Sequence, residues 1–263
     1  SASLRLLPCL IITPTTSGTR TVSSMSSSGN SLVFALTTAV VCSFLLTAAS
    51  AGLKGFQVEN IDVDKKKNIL MAVGLVDSGR TYRKADVLDI YGKNIRDLRV
   101  SPEGEMIDRD QTSATETSLP IYLYVKDSEI ASYIIPINTT GLWGKIFGYL
   151  ALNRDGSTVA GFTVYKHSET PGLGGEIEKR WFQKNFEGKK ILDKAGGFAS
   201  ISIAKGILPE TFPQDKLPNY VDGISGATLT GKYLTSGLKN VLQTYEPVSI
   251  KFRKQQPIKI REK

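Results

Sequence analysis

The stretch VDGISGATLTGKYL, Val221 to Leu234, places two hydroxyls, Thr228 and Thr230, behind the small residues Gly226 and Ala227 and ahead of a run with helical spacing. Backbone N–H groups at a helix start lack partners within the helix, and together with the helix dipole they favour an anion. Small residues there let a ligand approach the backbone closely. A threonine hydroxyl at this point can cap the helix, ligate a phosphate or carry an ester. From the residues alone the cap is the commonest use. A second stretch, HSETPGLGGEIEKRW from His167 to Trp181, joins a Thr-Pro-Gly turn to a glycine-rich helix start that can lie flat against a planar ligand. A plain turn followed by a helix is the alternative for this stretch.

Several other chemistries lack their residues. The single histidine is His167, so a histidine metal site or a Ser-His-Asp triad would rest on that side chain alone. The two cysteines, Cys9 and Cys42, precede the globular part, which therefore holds no disulfide framework, cysteine metal site or iron–sulfur ligand set. No glycine fingerprint of a dinucleotide-binding βαβ unit occurs, so a nicotinamide cofactor is not expected here. The net charge of +8 is concentrated at the end, where Lys251 to Lys263 holds six basic residues against Glu262. Without interleaved aromatics this segment reads as a solvated terminus, and no nucleic-acid partner is expected.

No charged residue lies between Arg20 and Lys54, and LVFALTTAVVCSFLLTAASAGL fills Leu32 to Leu53. As a helix that run would be about 33 Å long, enough for a hydrocarbon core of about 30 Å. Ala35, Ala39, Ala48, Ala49 and Gly52 suit close packing against other membrane helices. Ala49-Ser50-Ala51 has the pattern of a signal-peptide cleavage site, but the run exceeds the usual apolar core of a signal peptide and no cation lies close before it. The reading adopted is a retained membrane anchor, with Cys42 packed at mid-membrane. The chain opens on Ser1, its first methionine is Met25, and residues 1–24 are rich in Ser and Thr without acids, a composition shared with transit peptides. That segment is set aside from the fold.

The elements that would position the hydroxyls follow from periodicity. Phe56, Ile61, Ile69, Leu70 and Val73 have helical spacing, which predicts a helix ending near Gly74. Ser101 to Ser118 is polar and rich in turn residues. Ile121 to Val125, Tyr133 to Ile137 and Ile201 to Lys205 read as strands. IFGYLAL and TVAGFTVY flank Asn153-Arg154-Asp155-Gly156, which predicts a hairpin. One helix is expected over about Gly175 to Phe186, with Ile177, Trp181 and Phe182 on one face. A second should run from SGAT to about Tyr245, with Leu234, Leu238, Val241 and Leu242 inward. Antiparallel pairing with helices packed on the sheet makes this an α+β domain, with an antiparallel or mixed sheet, behind one N-terminal transmembrane helix. The expected organisation is an extension over 1–24, an anchor over 25–54, a helical connector and domain start over 55–100, the main domain over 101–250 and a basic tail over 251–263.

DGISGAT (Asp222 to Thr228) resembles the flavinylation motif of FMN-binding domains, in which the final threonine carries FMN through a phosphoester. ETPGLGGEI (Glu169 to Ile177) resembles the companion flavin-contacting segment. PINTTGLWGKIFGYLAL (Pro136 to Leu152) and KKKNILMAVGL (Lys65 to Leu75) resemble two further stretches of one family, the C subunit of the Na+-translocating NADH:quinone reductase. The match runs in order from Met25 to about Lys254, and residues 1–24 lie outside it. The resemblance implies a single-pass inner-membrane protein with a periplasmic FMN domain, working as an electron carrier among the other subunits of a Na+-pumping oxidoreductase. It implies one covalent FMN on Thr228, attached from FAD by a separate flavin transferase with Mg2+, with Thr230 as the fallback acceptor. Asp222, Ser225, Gly226 and Ala227 belong to the attachment motif. Glu169, Thr170, Gly172, Leu173 and Gly174 carry over as flavin contacts, with Leu142 and Trp143 beside them. Trp143 reads equally as a core aromatic, and His167 equally as a structural hydrogen-bonding residue. The alternatives are the G subunit of a ferredoxin:NAD+ oxidoreductase complex, and a membrane-anchored binding or assembly module in which SGAT only caps a helix.

The anchor reading predicts that N-terminal sequencing of the mature protein from membranes finds residues 32–53 retained. A mature chain beginning at Gly52 would contradict it.

Overall fold

The computed structural model describes residues 27–108, 118–254, 260 and 261. The segment 1–24 and most of the basic tail beyond Lys254 lie outside the described residues. Contacts divide the chain into two units, Ser1–Phe56 and Gln57–Lys263. In the first, helix α1 (Ser27–Ala72) carries the apolar run, and its side chains from Leu32 to Leu53 are exposed. By length and composition this helix can cross a membrane.

In the second unit α1 ends as its sequence predicts. Gly74 has φ +73°, its N–H donates to Met71 O at 3.1 Å, and the Leu75 N–H donates to Leu70 O at 3.0 Å. This is a Schellman cap, in which the left-handed residue is a glycine because a Cβ is unfavourable there. Helix α2 (Lys84–Asn94) follows and turns Val87 and Tyr91 inward. It falls in the stretch expected as a helical connector and the start of the domain, where no second helix is expected from the sequence.

The sheet is built from β1 (Ile95–Val100), β2 (Met106–Asp108), β3 (Leu119–Lys126), β4 (Glu129–Thr140), β5 (Lys145–Asn153), β6 (Val159–Lys166) and β9 (Ile260–Arg261), in the order β6-β5-β4-β3-β1-β2-β9. Neighbours pair antiparallel except β2 with β9. β4 contains Pro136, which cannot donate to a ladder; it lies beyond the pairing with β3, which ends at Tyr122–Ile134, and opposite Tyr149 of β5. Period-2 alternation sends Tyr133, Ile135 and Ile137 to one face and Ile134 to the other. The first face joins Leu150, Phe162, Phe182, Phe186, Leu234, Leu238 and Leu242 in the main core, and the second packs on Ile69, Leu70, Val87 and Tyr91. The result is a helix–sheet–helix α+β domain.

Two expected helices differ from their sequence outline. The one over Gly175 to Phe186 is broken: a 3₁₀ turn (Gly174–Glu178) is followed by Lys179 with ψ 142°, then by α3 (Arg180–Lys184). The break lets Ile177 and Phe182 both reach the core while Trp181, placed on the same face by periodicity, is 49% exposed and donates to Glu176 Oε2 at 3.3 Å. The last helix, α4 (Thr228–Arg253), runs on through Pro247. A helix-interior proline costs about 3 kcal/mol, and burial of Val248 and Phe252 returns roughly 1.5–3 kcal/mol each. Tyr133 stacks on Phe252 at 4.3 Å and donates to Ser249 Oγ at 2.8 Å, so the far end of α4 is fixed to β4. Lys251 and Arg253, read as the start of the basic tail, belong to this helix and pair with Glu105 and Glu246. The strand expected at Ile201 to Lys205 is β7 (Ser202–Ile203), paired in parallel with β8 (Tyr220–Val221).

Near its start α4 crosses β4 so closely that a Cβ on Gly237 would overlap the Thr139 hydroxyl. This approach places the first turn of α4 over the end of β4, where the β4–β5 loop begins. Gly237→Ala should lower the stability of the full chain by about 1–3 kcal/mol, the usual cost of overpacking, measured as a fall in Tm in detergent.

Candidate functional site

Three segments converge at that end of the sheet. The first is the β4–β5 loop, closed by the Gly141 N–H donating to Gly144 O at 2.7 Å, which holds Leu142 and Trp143 outward. Trp143 is 69% exposed, so it is a rim residue and not a core aromatic. The second is the turn after β6, where the N–H groups of Leu173 and Gly175 both donate to Thr170 O, at 3.1 and 2.9 Å, and Gly172 has φ +73°. The third is the start of α4. Gly226 has φ +77°, Ala227 occupies the cap position with no side-chain cap bond, and the first helical bond runs from Gly231 N to Ala227 O at 3.0 Å. Thr228 is thus the first helical residue and not the cap.

The two threonines are in different environments. Consecutive helical residues are about 100° apart, so positions two apart face roughly opposite ways. Thr228 is exposed, whereas Thr230 is 2% exposed and donates to Glu169 Oε2 at 2.6 Å. Glu169 is itself 4% exposed, and its Oε1 accepts the Trp143 N–H at 3.0 Å. A Cβ on Gly141 would collide with Glu169 Oε1, and one on Gly174 would stand 2.5 Å from Thr230 Oγ1 and 2.9 Å from Glu169 Oε2. The glycines are there to admit this carboxyl. The Glu169 N–H donates to His167 Nδ1 at 3.1 Å, which leaves the His167 Nε2–H facing Glu178 Oε2 at 3.2 Å. Lys179 beside it, with His167, holds the Glu178 carboxyl below its usual range. His167 therefore buttresses the turn from behind.

Between the segments lies a cleft of about 270 Å³, lined by Leu142, Trp143, Glu169, Thr170, Leu173, Gly174, Gly226, Ala227, Thr228, Leu229 and Thr230. Most of the residues singled out in the sequence meet here. Asp222, Ser225 and Gly172 are not in the lining; Asp222 Oδ1 instead accepts the Leu208 N–H at 2.8 Å and ties down the preceding loop. Leu229 was not anticipated, although its place directly after Thr228 at a helix start could have marked it. A larger groove of about 520 Å³, lined by Asn60, Ile61, Asp64, Lys65, Phe147, Tyr165 and Lys166, contains none of the motif residues. Size therefore does not locate the site, and the convergence of helix start, hydroxyl and apolar rim does.

The cleft suits a planar aromatic ligand with an anionic end. Leu142, Trp143, Leu173 and Leu229 offer apolar surface, and the N–H groups of the first turn of α4, which lack partners within the helix, would suit an anion. No lysine or arginine is in the lining, so those N–H groups and the helix dipole supply the positive potential. A Cβ on Gly226 would stand 2.9 Å from Leu173 Cδ2, so glycine keeps the two halves of the cleft in contact. The residues present fit FMN.

The comparisons with known proteins agree. The FMN-binding domain family matches residues 141–243, a span that contains all three segments. The chain is similar to the C subunit of the Na(+)-translocating NADH-quinone reductase from Pseudomonas aeruginosa, 31% identical over 248 residues that cover 84% of this chain and 92% of that one. Its counterpart from Yersinia pestis is 32% identical over 238 residues, 81% and 86% of the two chains. The crystal structure of the same subunit from Parabacteroides distasonis superposes with a TM-score of 0.62 at 32% identity, covering 75% of this chain and 96% of that one. The Shewanella oneidensis NqrC structure, at 23% identity and a TM-score of 0.60, shares the fold. The fold is that of an FMN-binding domain. The chain belongs to the family of C subunits of the Na(+)-translocating NADH-quinone reductase.

Thr230→Val should leave Glu169 Oε2 without its donor and destabilise the chain by about 1–3 kcal/mol, the cost of an unmet buried polar group. Denaturant unfolding measures this, and an unchanged midpoint would contradict it.

Proposed function

We propose that this chain is the membrane-anchored electron-carrier subunit of a Na+-translocating NADH:quinone reductase, with FMN joined through its phosphate to the Thr228 hydroxyl. The carrying observation is the difference between the two threonines: Thr228 is exposed at the start of α4, and Thr230 is buried with its proton committed to Glu169. Forming the ester needs a hydroxyl and neither cysteine nor histidine. The Thr228 oxygen attacks the flavin-side phosphorus of FAD, AMP leaves and the hydroxyl proton is released. A separate flavin transferase with Mg2+ catalyses that step, so this chain is its substrate.

Bound FMN supplies the exchange of electrons one or two at a time. The chain's own residues would do the holding: N–H groups at the start of α4 would take the phosphate, and Leu142, Trp143, Leu173 and Leu229, which line the cleft with apolar surface, would flank the ring. Electrons enter from and leave to other subunits of the complex, with NADH bound elsewhere. The apolar part of α1 anchors the chain in the inner membrane, and the FMN domain stands on the periplasmic side.

Co-expression with a flavin transferase should give a band that fluoresces on a denaturing gel. Thr228→Ala should abolish that fluorescence and Thr230→Val should keep it. Flavin persisting in Thr228→Ala, or mapped by tryptic mass spectrometry to Thr230, would contradict the assignment.

A further inference from the structure

Glu169 is the one acid in the lining of the cleft, and its position there is unusual for a charged residue. It is almost wholly buried, and both carboxyl oxygens accept hydrogen bonds, from the Trp143 N–H and the Thr230 hydroxyl. Two accepting oxygens are the pattern of the ionised form. Both donors are neutral, and among the described residues no ion pair involves Glu169. Cations are also missing from the lining. Its negative charge is therefore softened by two dipoles and balanced by no formal charge. A carboxylate buried in the wall of the cleft is less screened than one in water, so it acts on a neighbouring group more strongly.

We propose that Glu169 sets the reduction potential of the flavin held in this cleft, its carboxylate opposing the arrival of an electron. The inference rests on the reading of the cleft as the FMN site and adds a role for the buried acid beyond contact. An added electron increases the negative charge of the ligand, and a fixed carboxylate at the wall makes that increase less favourable. Glu169 is thus a potential-setting residue and takes no part in bond making.

Substitutions separate charge from shape. Glu169→Gln is isosteric and uncharged: its amide oxygen can still accept from Trp143, and its NH₂ can donate to Thr230. Glu169→Ala is uncharged without a buried polar head. Glu169→Asp keeps the charge on a shorter arm. Each full-length chain is co-expressed with flavin transferase, and its flavin is titrated spectroscopically at one fixed pH. At a fixed ambient potential, Glu169→Gln should raise the ratio of reduced to oxidised flavin about tenfold, an upward shift of about 59 mV for one electron. Glu169→Ala should move the same way, and Glu169→Asp should stay within about twofold of wild type because its charge is retained. A fully loaded Glu169→Gln or Glu169→Ala chain with the wild-type potential would overturn the proposal. So would a shift in Glu169→Asp equal to that in Glu169→Gln, since packing and not charge would then be responsible. If neither uncharged variant takes up flavin while Glu169→Asp does, the carboxylate is needed for loading, and the potential-setting role is overturned. Absence of flavin from the wild-type chain would instead overturn the reading beneath this one, and the two failures are distinct.

Discussion

The cleft depends on one buried carboxyl. Glu169 lies where three segments meet and bonds to partners 26 and 61 residues away in sequence, the Trp143 N–H and the Thr230 hydroxyl. Leaving either bond unmade in a buried place costs about 1–3 kcal/mol, so the β4–β5 loop, the turn after β6 and the start of α4 are held as a set. Gly141 and Gly174 lack the Cβ atoms that would exclude the carboxyl, and Gly237 lets α4 approach β4 closely enough for Thr230 to reach it. A ligand entering this cleft meets walls already assembled, which lowers the ordering cost of binding.

Much of this was legible in the sequence where the signal is local. The β-rich run YIIPI marked one strand, IFGYLAL and TVAGFTVY about the Asn153 to Gly156 turn marked the hairpin, and Gly74 marked the end of α1. The motif residues Glu169, Thr170, Leu173, Gly174 and Gly226 to Thr228 do line one cleft. What stayed hidden depends on tertiary contacts. Lys179 breaks a helix that periodicity would continue, because Ile177 and Phe182 both need the core and Trp181 does not. The burial of Val248 and Phe252 carries α4 through Pro247 against local propensity. By residue type Thr230 is a fallback for Thr228, and it takes the tertiary structure to separate them, with Thr230 buried on Glu169 and Thr228 exposed. The character of Trp143 is likewise open until the loop from Gly141 to Gly144 places it outside.

The shape of the cleft bears on why a covalent tether would be useful. At about 270 Å³ it falls below the roughly 300–1,000 Å³ of pockets that enclose a drug-sized ligand, and its rim is exposed. A shallow site leaves part of a flat ligand accessible, which helps an electron pass to a partner but weakens retention. Under the proposed ester to Thr228, the bond supplies retention, so the walls need only orient the ring and set its potential.

The central claim, that one flavin spans the cleft from Thr228 to the Leu142–Trp143 loop, can be tested through fluorescence. The chain has two tryptophans, Trp143 and Trp181. In a Trp181→Phe chain the remaining indole stands on the cleft rim, and a ring in van der Waals contact should quench it almost completely. The time-resolved emission of Trp143 should therefore collapse to a very short lifetime in the flavin-loaded chain and recover in the Thr228→Ala chain. A fully loaded chain whose Trp143 keeps its unloaded lifetime would contradict this account, because the ring would then lie elsewhere.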